Sequence, residues 1–310
     1  MIAPRKFSHV ATLVMFSLIL SIGCMRGDLP LSKPQQLIVA SFDLEVDRVK
    51  EFISQGIDVN ARMGEHNGKQ FYDKWSLGRP AASERWTPLL AVASSHREPQ
   101  PDRETANTSE ALEKAAEERK KVDPKVIAER DLRRIAIARL LIEAKANLDF
   151  DDGHGASALA AAIVEGYEDL ALLLIESGAK VNTKTGIYID GPGDVTPLHD
   201  AAVDSPRVVK LLLEHGANVS ARTTNGKTPL HYAVMRENAE SVRLLLAAGA
   251  DPNAKDNDGR TPLYWVDAEP PTSRGILNMT KERVELFRKL SAEYENKKEV
   301  ADLLRQAGAK

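Results

Sequence analysis

From about residue 34 onward the apolar positions of this chain fall into two alternating patterns. One opens on Thr or Ser and is compact: Thr87-Pro-Leu-Leu90, Ser157-Ala-Leu-Ala160, Thr196-Pro-Leu-His199, Thr228-Pro-Leu-His231 and Thr261-Pro-Leu-Tyr264. The other is a leucine-rich run closing on a small residue and a turn: residues 46–61, 137–149, 169–182, 208–221, 241–254 and 299–310. Each pattern predicts a helix. In the first, the hydroxyl accepts from an orphan N–H of the opening turn, and proline at the first helical position loses no hydrogen bond. In the second, apolar residues at i, i+1 and i+4 make one stripe, and Gly178, Gly216, Gly249 and Gly308 mark its end in a left-handed turn. Thr228 and Thr261 lie thirty-three residues apart, so helix pairs recur in phase. Such recurrence predicts an all-α array in which each unit packs on its neighbours.

The first thirty residues follow another pattern. Arg5, Lys6 and His9 precede a thirteen-residue apolar run, Val10 to Ile22. This is the layout of a secretory signal, and the run is short of the roughly 20 residues that cross a bilayer. Residues 1–23 are expected to be a signal peptide and residues 24–33 a tether. Leu20-Ser21-Ile22-Gly23-Cys24 resembles the lipobox of bacterial lipoproteins, with Ser21 in place of the usual leucine. The resemblance implies acylation of Cys24 and an exported protein, lipid-anchored at the cell membrane or outer membrane and facing periplasm or exterior. An ordinary cleaved signal with an incidental cysteine is the alternative.

The two phased landmarks resemble the ankyrin-repeat family, covering about six units from residue 34 to residue 310. The resemblance implies helix-turn-helix repeats with β-hairpin fingers, and His199 and His231 hydrogen-bonding backbone within and between repeats. It also implies a concave face, built from finger tips and first helices, that binds a protein. Mapped onto this sequence, the candidate contacts are Thr224, Asn225 and Lys227, then Asn257, Asp258 and Arg260, with Asp200, Tyr232 and Trp265 on the first helices. The last three are alternatively buried between repeats.

Four stretches break the period. Residues 62–86 hold Phe71, Tyr72, Trp75 and Trp86, a binding finger or an elaborated turn packed on its own stack. Residues 183–195 lengthen a second finger around Tyr188, either a partner contact or packing against the first finger. Residues 96–130 read as a proline-rich loop and a charged surface helix broken at Pro124. Residues 268–296 carry an apolar face, Val284, Leu286, Phe287 and Leu290, suited to capping the array.

Composition narrows the function. A formal charge of -3 argues against nucleic acid as a partner. Cys24 is the sole cysteine, which excludes an intrachain disulfide framework and a thiolate metal site. No phosphate loop, His-Glu-x-x-His or Gly-x-Ser-x-Gly occurs, and Asp256-Asn257-Asp258-Gly259 lacks the glutamate of a calcium loop and reads as a hairpin turn. The expectation is a non-enzymatic interaction protein with no cofactor, no metal and no small-molecule substrate. Its partner is an unidentified protein, with toxins and envelope hydrolases among the classes that exported relatives inhibit. The rivals are an envelope scaffold that self-associates through the inserted helices, and an enzyme using Asp190, Asp194 or His154.

Overall fold

The computed structural model describes residues 31–62, 86–95, 123–150, 157–184, 194–266 and 295–310. The expected signal peptide, Cys24, Phe71, Tyr72, Trp75, Tyr188, Asp190, His154 and the apolar face at 284–290 lie outside the described residues. Helices pair along the chain: α1 (Lys33–Phe42) with α2 (Val46–Ser54), α3 (Pro88–Ala93) with α4 (Pro124–Glu143), and α5 (Ala158–Val164) with α6 (Glu168–Glu176). They continue as α7 (Pro197–Asp204) with α8 (Pro206–Glu214) and α9 (Pro229–Met235) with α10 (Ala239–Ala247). The last pair is a 3-10 turn, Pro262–Trp265, with α11 over residues 295–306.

First helices pack on first helices (α1 on α3, α3 on α5, α5 on α7, α7 on α9, α9 on the 3-10 turn), and α2, α4, α6, α8 and α10 stack in a second row. The core runs unbroken between the rows from Leu37 to Leu304. The fold is an all-α ankyrin-repeat solenoid. Its small residues explain the close first row: Ala160, Ala162, Ala201, Ala202 and Ala233 are fully buried, so helix backbones approach without side-chain bulk.

The predicted caps form. Thr87 Oγ1 accepts from Leu90 N at 3.3 Å and Ser157 Oγ from Ala160 N at 3.2 Å. Gly178, Gly216, Gly249 and Gly308 take positive φ at the ends of α6, α8, α10 and α11, and Lys145 takes that conformation (φ 67°) after α4. Asparagines then bracket one unit to the next. Asn182 Nδ2 donates to Gly216 O at 3.0 Å while its Oδ1 accepts from Asn218 N at 2.8 Å. Asn60 makes the same bracket to Lys145 O and Asn147 N, and Asn253 to Gly308 O and Lys310 N.

One expectation needs correcting. The fingers carry no strand among the described residues: each is a tight turn, closed in one by Thr223 N donating to Lys227 O at 2.9 Å and in the next by Asp256 N donating to Arg260 O at 2.9 Å. One such bond per finger is too few for a ladder. The stretch before Asp123 lies outside the described residues, and at Pro124 a helix starts. Asp123 caps it, accepting from Lys125 N at 2.9 Å, and α4 runs uninterrupted into the repeat's second helix. Residues 124–130, the end of the expected insertion, form its opening turns. No helix among the described residues is long and apolar enough to cross a membrane.

A buried knot ties the roots of that insertion. The Arg134 guanidinium donates to Ser95 O at 2.9 Å and Ser95 Oγ at 3.2 Å, pairs with Asp131, and lies 3.6 Å above the Tyr167 ring. Tyr167 Oη also donates to Ser95 O. The knot joins the end of α3 and the middle of α4 to the third unit.

Candidate protein-docking surface

The finger tips and first helices of the fourth to sixth units meet in one region. Thr196 and Thr228 open α7 and α9, and the third helical residue of each is a histidine completing the cap. His199 Nδ1 accepts from Thr196 N at 3.1 Å with Thr196 Oγ1 at 2.9 Å, and the other ring nitrogen, Nε2, stands 3.2 Å from Lys227 O. His231 repeats this arrangement with Thr228 N at 3.1 Å, Thr228 Oγ1 at 2.9 Å and Arg260 O at 3.2 Å. A backbone N–H pointing at Nδ1 makes that nitrogen an acceptor, so the proton sits on Nε2 and each ring is neutral. Burial pushes His199 down to about 4, against hydrogen bonds to the Lys227 and Ala221 backbone that favour the charged form. Burial also lowers His231.

The fingers are zipped to one another. Asp194 N donates to Thr224 Oγ1 at 3.2 Å, Asn257 N to Asn225 O at 3.0 Å, and Asn257 Nδ2 to Thr224 O at 2.9 Å. Gly226 permits the approach: its φ is +76°, and a Cβ there would stand 2.4 Å from Asn257 Oδ1 and 2.9 Å from Asn257 N. The next finger is held by Asp256, whose Oδ1 accepts from Asp258 N at 3.0 Å and Arg260 N at 2.9 Å, and whose Oδ2 accepts from Arg260 Nε at 2.9 Å. Burial alone would raise the Asp256 carboxyl, but these donors outweigh it and hold it below the usual carboxylate range. With Gly259 at φ +78°, the stretch Asp256–Gly259 is a turn.

The nine candidate contacts separate into three groups. Asp200, Lys227 and Tyr232 are 5%, 7% and 3% exposed and belong to the stack, so they do not stand on the exposed face expected of contacts. Tyr232 packs edge-on against His199, centroids 5.2 Å apart, because the residue after the motif histidine points at the preceding first helix. Asn257 and Arg260 are committed to the fingers, Arg260 pairing with Asp256 and Asp258. Thr224, Asn225 and Asp258 are exposed and Trp265 is half-buried.

Tyr264 was not among them, yet it is 62% exposed and stands edge-on to Trp265, centroids 5.5 Å apart. Lys227 Nζ lies 5.3 Å from the Trp265 ring centroid and the Arg260 guanidinium 4.9 Å. The signal was available: Tyr264 stands where the two preceding motifs have histidine, and a phenol there cannot reproduce the imidazole's bonds to its threonine and the next finger. In the first finger's region, Trp86 stacks on Phe42 of α1 at 5.6 Å, packing onto the first unit. Among the described residues no group of three or more His, Cys, Asp or Glu side chains is placed to hold a metal ion.

Comparison with known proteins agrees with this geometry. Residues 188–256 match the family described as ankyrin repeats in three copies. Rabankyrin-5 of Mus musculus is 33% identical over 115 residues, which is 33% of this chain and 9% of that protein. Rabankyrin-5 of Homo sapiens is 39% identical over 84 residues, 25% of this chain and 7% of its own length. A putative ankyrin repeat protein of Rickettsia bellii is 39% identical over 70 residues, 22% of this chain and 26% of its own length. The matched segments thus span a minor part of each relative. Over residues 188–256 the chain carries ankyrin repeats, which indicate a protein–protein interaction module.

Proposed function

We propose that the protein is a non-enzymatic docking module that captures a folded protein on the surface formed by its zipped fingers and by Tyr264 and Trp265. The observation that carries this reading is the aromatic pair: an exposed tyrosine set against a half-buried tryptophan, with Lys227 and Arg260 over the indole. Tyr, Trp and Arg dominate binding hot spots, and a surface held rigid before contact loses little entropy on binding. Tyr264→Ala removes an exposed ring with small effect on the fold. It is expected to weaken binding of the purified partner, recovered first by affinity capture from the producing cell, by about 2 kcal/mol in a calorimetric titration. Unchanged affinity would move the contact surface elsewhere.

The same reading places the module at a bacterial envelope. Cys24 is the proposed acylation site, so that a lipid holds the array at a membrane with its surface toward periplasm or exterior. The lipobox-like sequence supports this. Cells fed a clickable fatty acid should label the parent chain and not a Cys24→Ser variant; equal labelling of both, or of neither, rules out the anchor.

A further inference from the structure

We propose that His199 and His231 form a proton-operated latch that releases the docking surface, and with it a bound partner, when the surroundings turn acidic. This regulation rests on the docking reading and deepens it. Each ring joins two things that move independently when the ring is gone: the threonine opening its own helix, and the carbonyl at the base of the following finger. Those carbonyls belong to Lys227 and Arg260, the two residues whose cations lie over Trp265. Ring, finger base and aromatic pair are thus one connected unit, duplicated in adjacent repeats.

A proton from water adds to Nδ1 and nothing leaves. Nδ1 then carries hydrogen and faces the N–H of Thr196 or Thr228, donor against donor, at 3.1 Å. The threonine hydroxyl can turn to accept, but the backbone N–H cannot, and a buried donor without an acceptor is costly. The strain is relieved when the imidazolium swings toward solvent, which lets go of the finger carbonyl.

The charges around the pair favour a stepwise release. His231 faces Asp256, which favours its charged form, and Arg222 and Lys227, which oppose it; His231 in turn opposes charging of His199. Asp200 and Asp204 share α7 with His199, and Arg236 and Glu237 follow His231 at the end of α9. On the packed neighbours, α5 has no ionisable side chain, the 3-10 turn contributes Tyr264, and α8 and α10 carry theirs (Arg207, Lys210, Glu214, Glu240, Arg243) on the exposed side.

The test reads Trp265 alone. In the full chain with Trp75→Phe and Trp86→Phe, acrylamide quenching of the remaining indole is followed from pH 7.5 to pH 4 beside far-UV circular dichroism. The latch predicts that quenching rises severalfold on acidification while helicity is retained. A further His199→Gln, His231→Gln variant should stay flat, since glutamine completes the same cap without titrating. A flat parent, an equal rise in the glutamine variant, or a rise that only accompanies loss of helicity overturns the proposal. Should the glutamine variant fail to fold, ring-nitrogen NMR of the parent decides: protonation of both rings must track the Trp265 change, and rings still neutral while Trp265 changes sink the latch. Neither experiment involves a partner. A failed latch leaves the docking surface standing, and a failed Tyr264→Ala titration leaves a latch with no bound protein to release.

Discussion

Replacing Arg134 by alanine is expected to detach the first two units from the array. The side chain is 1% exposed, and its guanidinium supplies donors to Ser95 O and Oγ, a partner for Asp131 and a cation for the Tyr167 ring. Removing one member of a fully buried charged pair costs about 3–5 kcal/mol; Asp131 is partly exposed, so its share here is smaller, and the cavity left by the buried Arg134 side chain adds to it. In a solenoid that loss stays local, because each unit leans only on its neighbours. A urea titration of Arg134→Ala should therefore gain an early transition, with amide protection lost from α1 to α4 and kept in α7 to α10. An unaltered titration would mean that the knot holds nothing. A uniform shift of a single transition would mean that the array melts as one body.

Lowering the pH from 6.5 to 4 is expected to act with opposite signs on the first and fourth units. At the fourth unit, the folded state holds His199 near 4 against 6.5 for a free histidine, so the unfolded chain binds more protons between those values. Its stabilising contribution is complete above pH 6.5 and lost as pH falls toward 4, amounting to about 3 kcal/mol. At the first unit the sign reverses. Asp43, at the end of α1, is raised to about 6 by burial and by Glu45, with Arg48 and Arg130 opposing, so there the folded state binds the proton more readily. Falling pH removes a destabilising charge and adds about 3 kcal/mol, gained between pH 6 and the ordinary carboxylate value. Global denaturation would show little net slope. Segment-resolved hydrogen exchange, corrected for intrinsic rates, should show α7 and α9 loosening while α1 and α2 tighten. Protection that changes in the same direction in both units would exclude this pairing.

The fold was legible because its signals are local and repeated. A Thr-Pro step sets a helix start, a glycine after a leucine run sets its end, and recurrence of both in phase sets the stacking. The surface was harder to read, for a geometric reason. Sequence spacing places Tyr232, Lys227 and Asp200 beside exposed residues, but whether such a side chain faces solvent or the next repeat depends on a neighbour some thirty residues away. Tyr232 turns inward onto His199, and Lys227 onto Trp265. The finger zipper was also out of reach, since nothing near Gly226 announces that Asn257 will lie against it. Arg134 follows a stretch that reads as solvated charge, and only the folded chain shows it lying on Tyr167.

The Arg134 knot has a consequence for how such a protein can change. Ser95 and Asp123 bound the inserted stretch 96–122 in the sequence, and Arg134 and Tyr167 tie Ser95 directly to the helix that Asp123 caps. Closing a flexible loop across a fixed gap costs only about 0.6 kcal/mol more for each doubling of its length. Evolution, or an engineer, can therefore graft a longer, shorter or unrelated sequence between these two points without shifting the register of any helix. The site is a ready-made socket, leaving the proposed docking surface in the fourth to sixth units free to keep its own sequence.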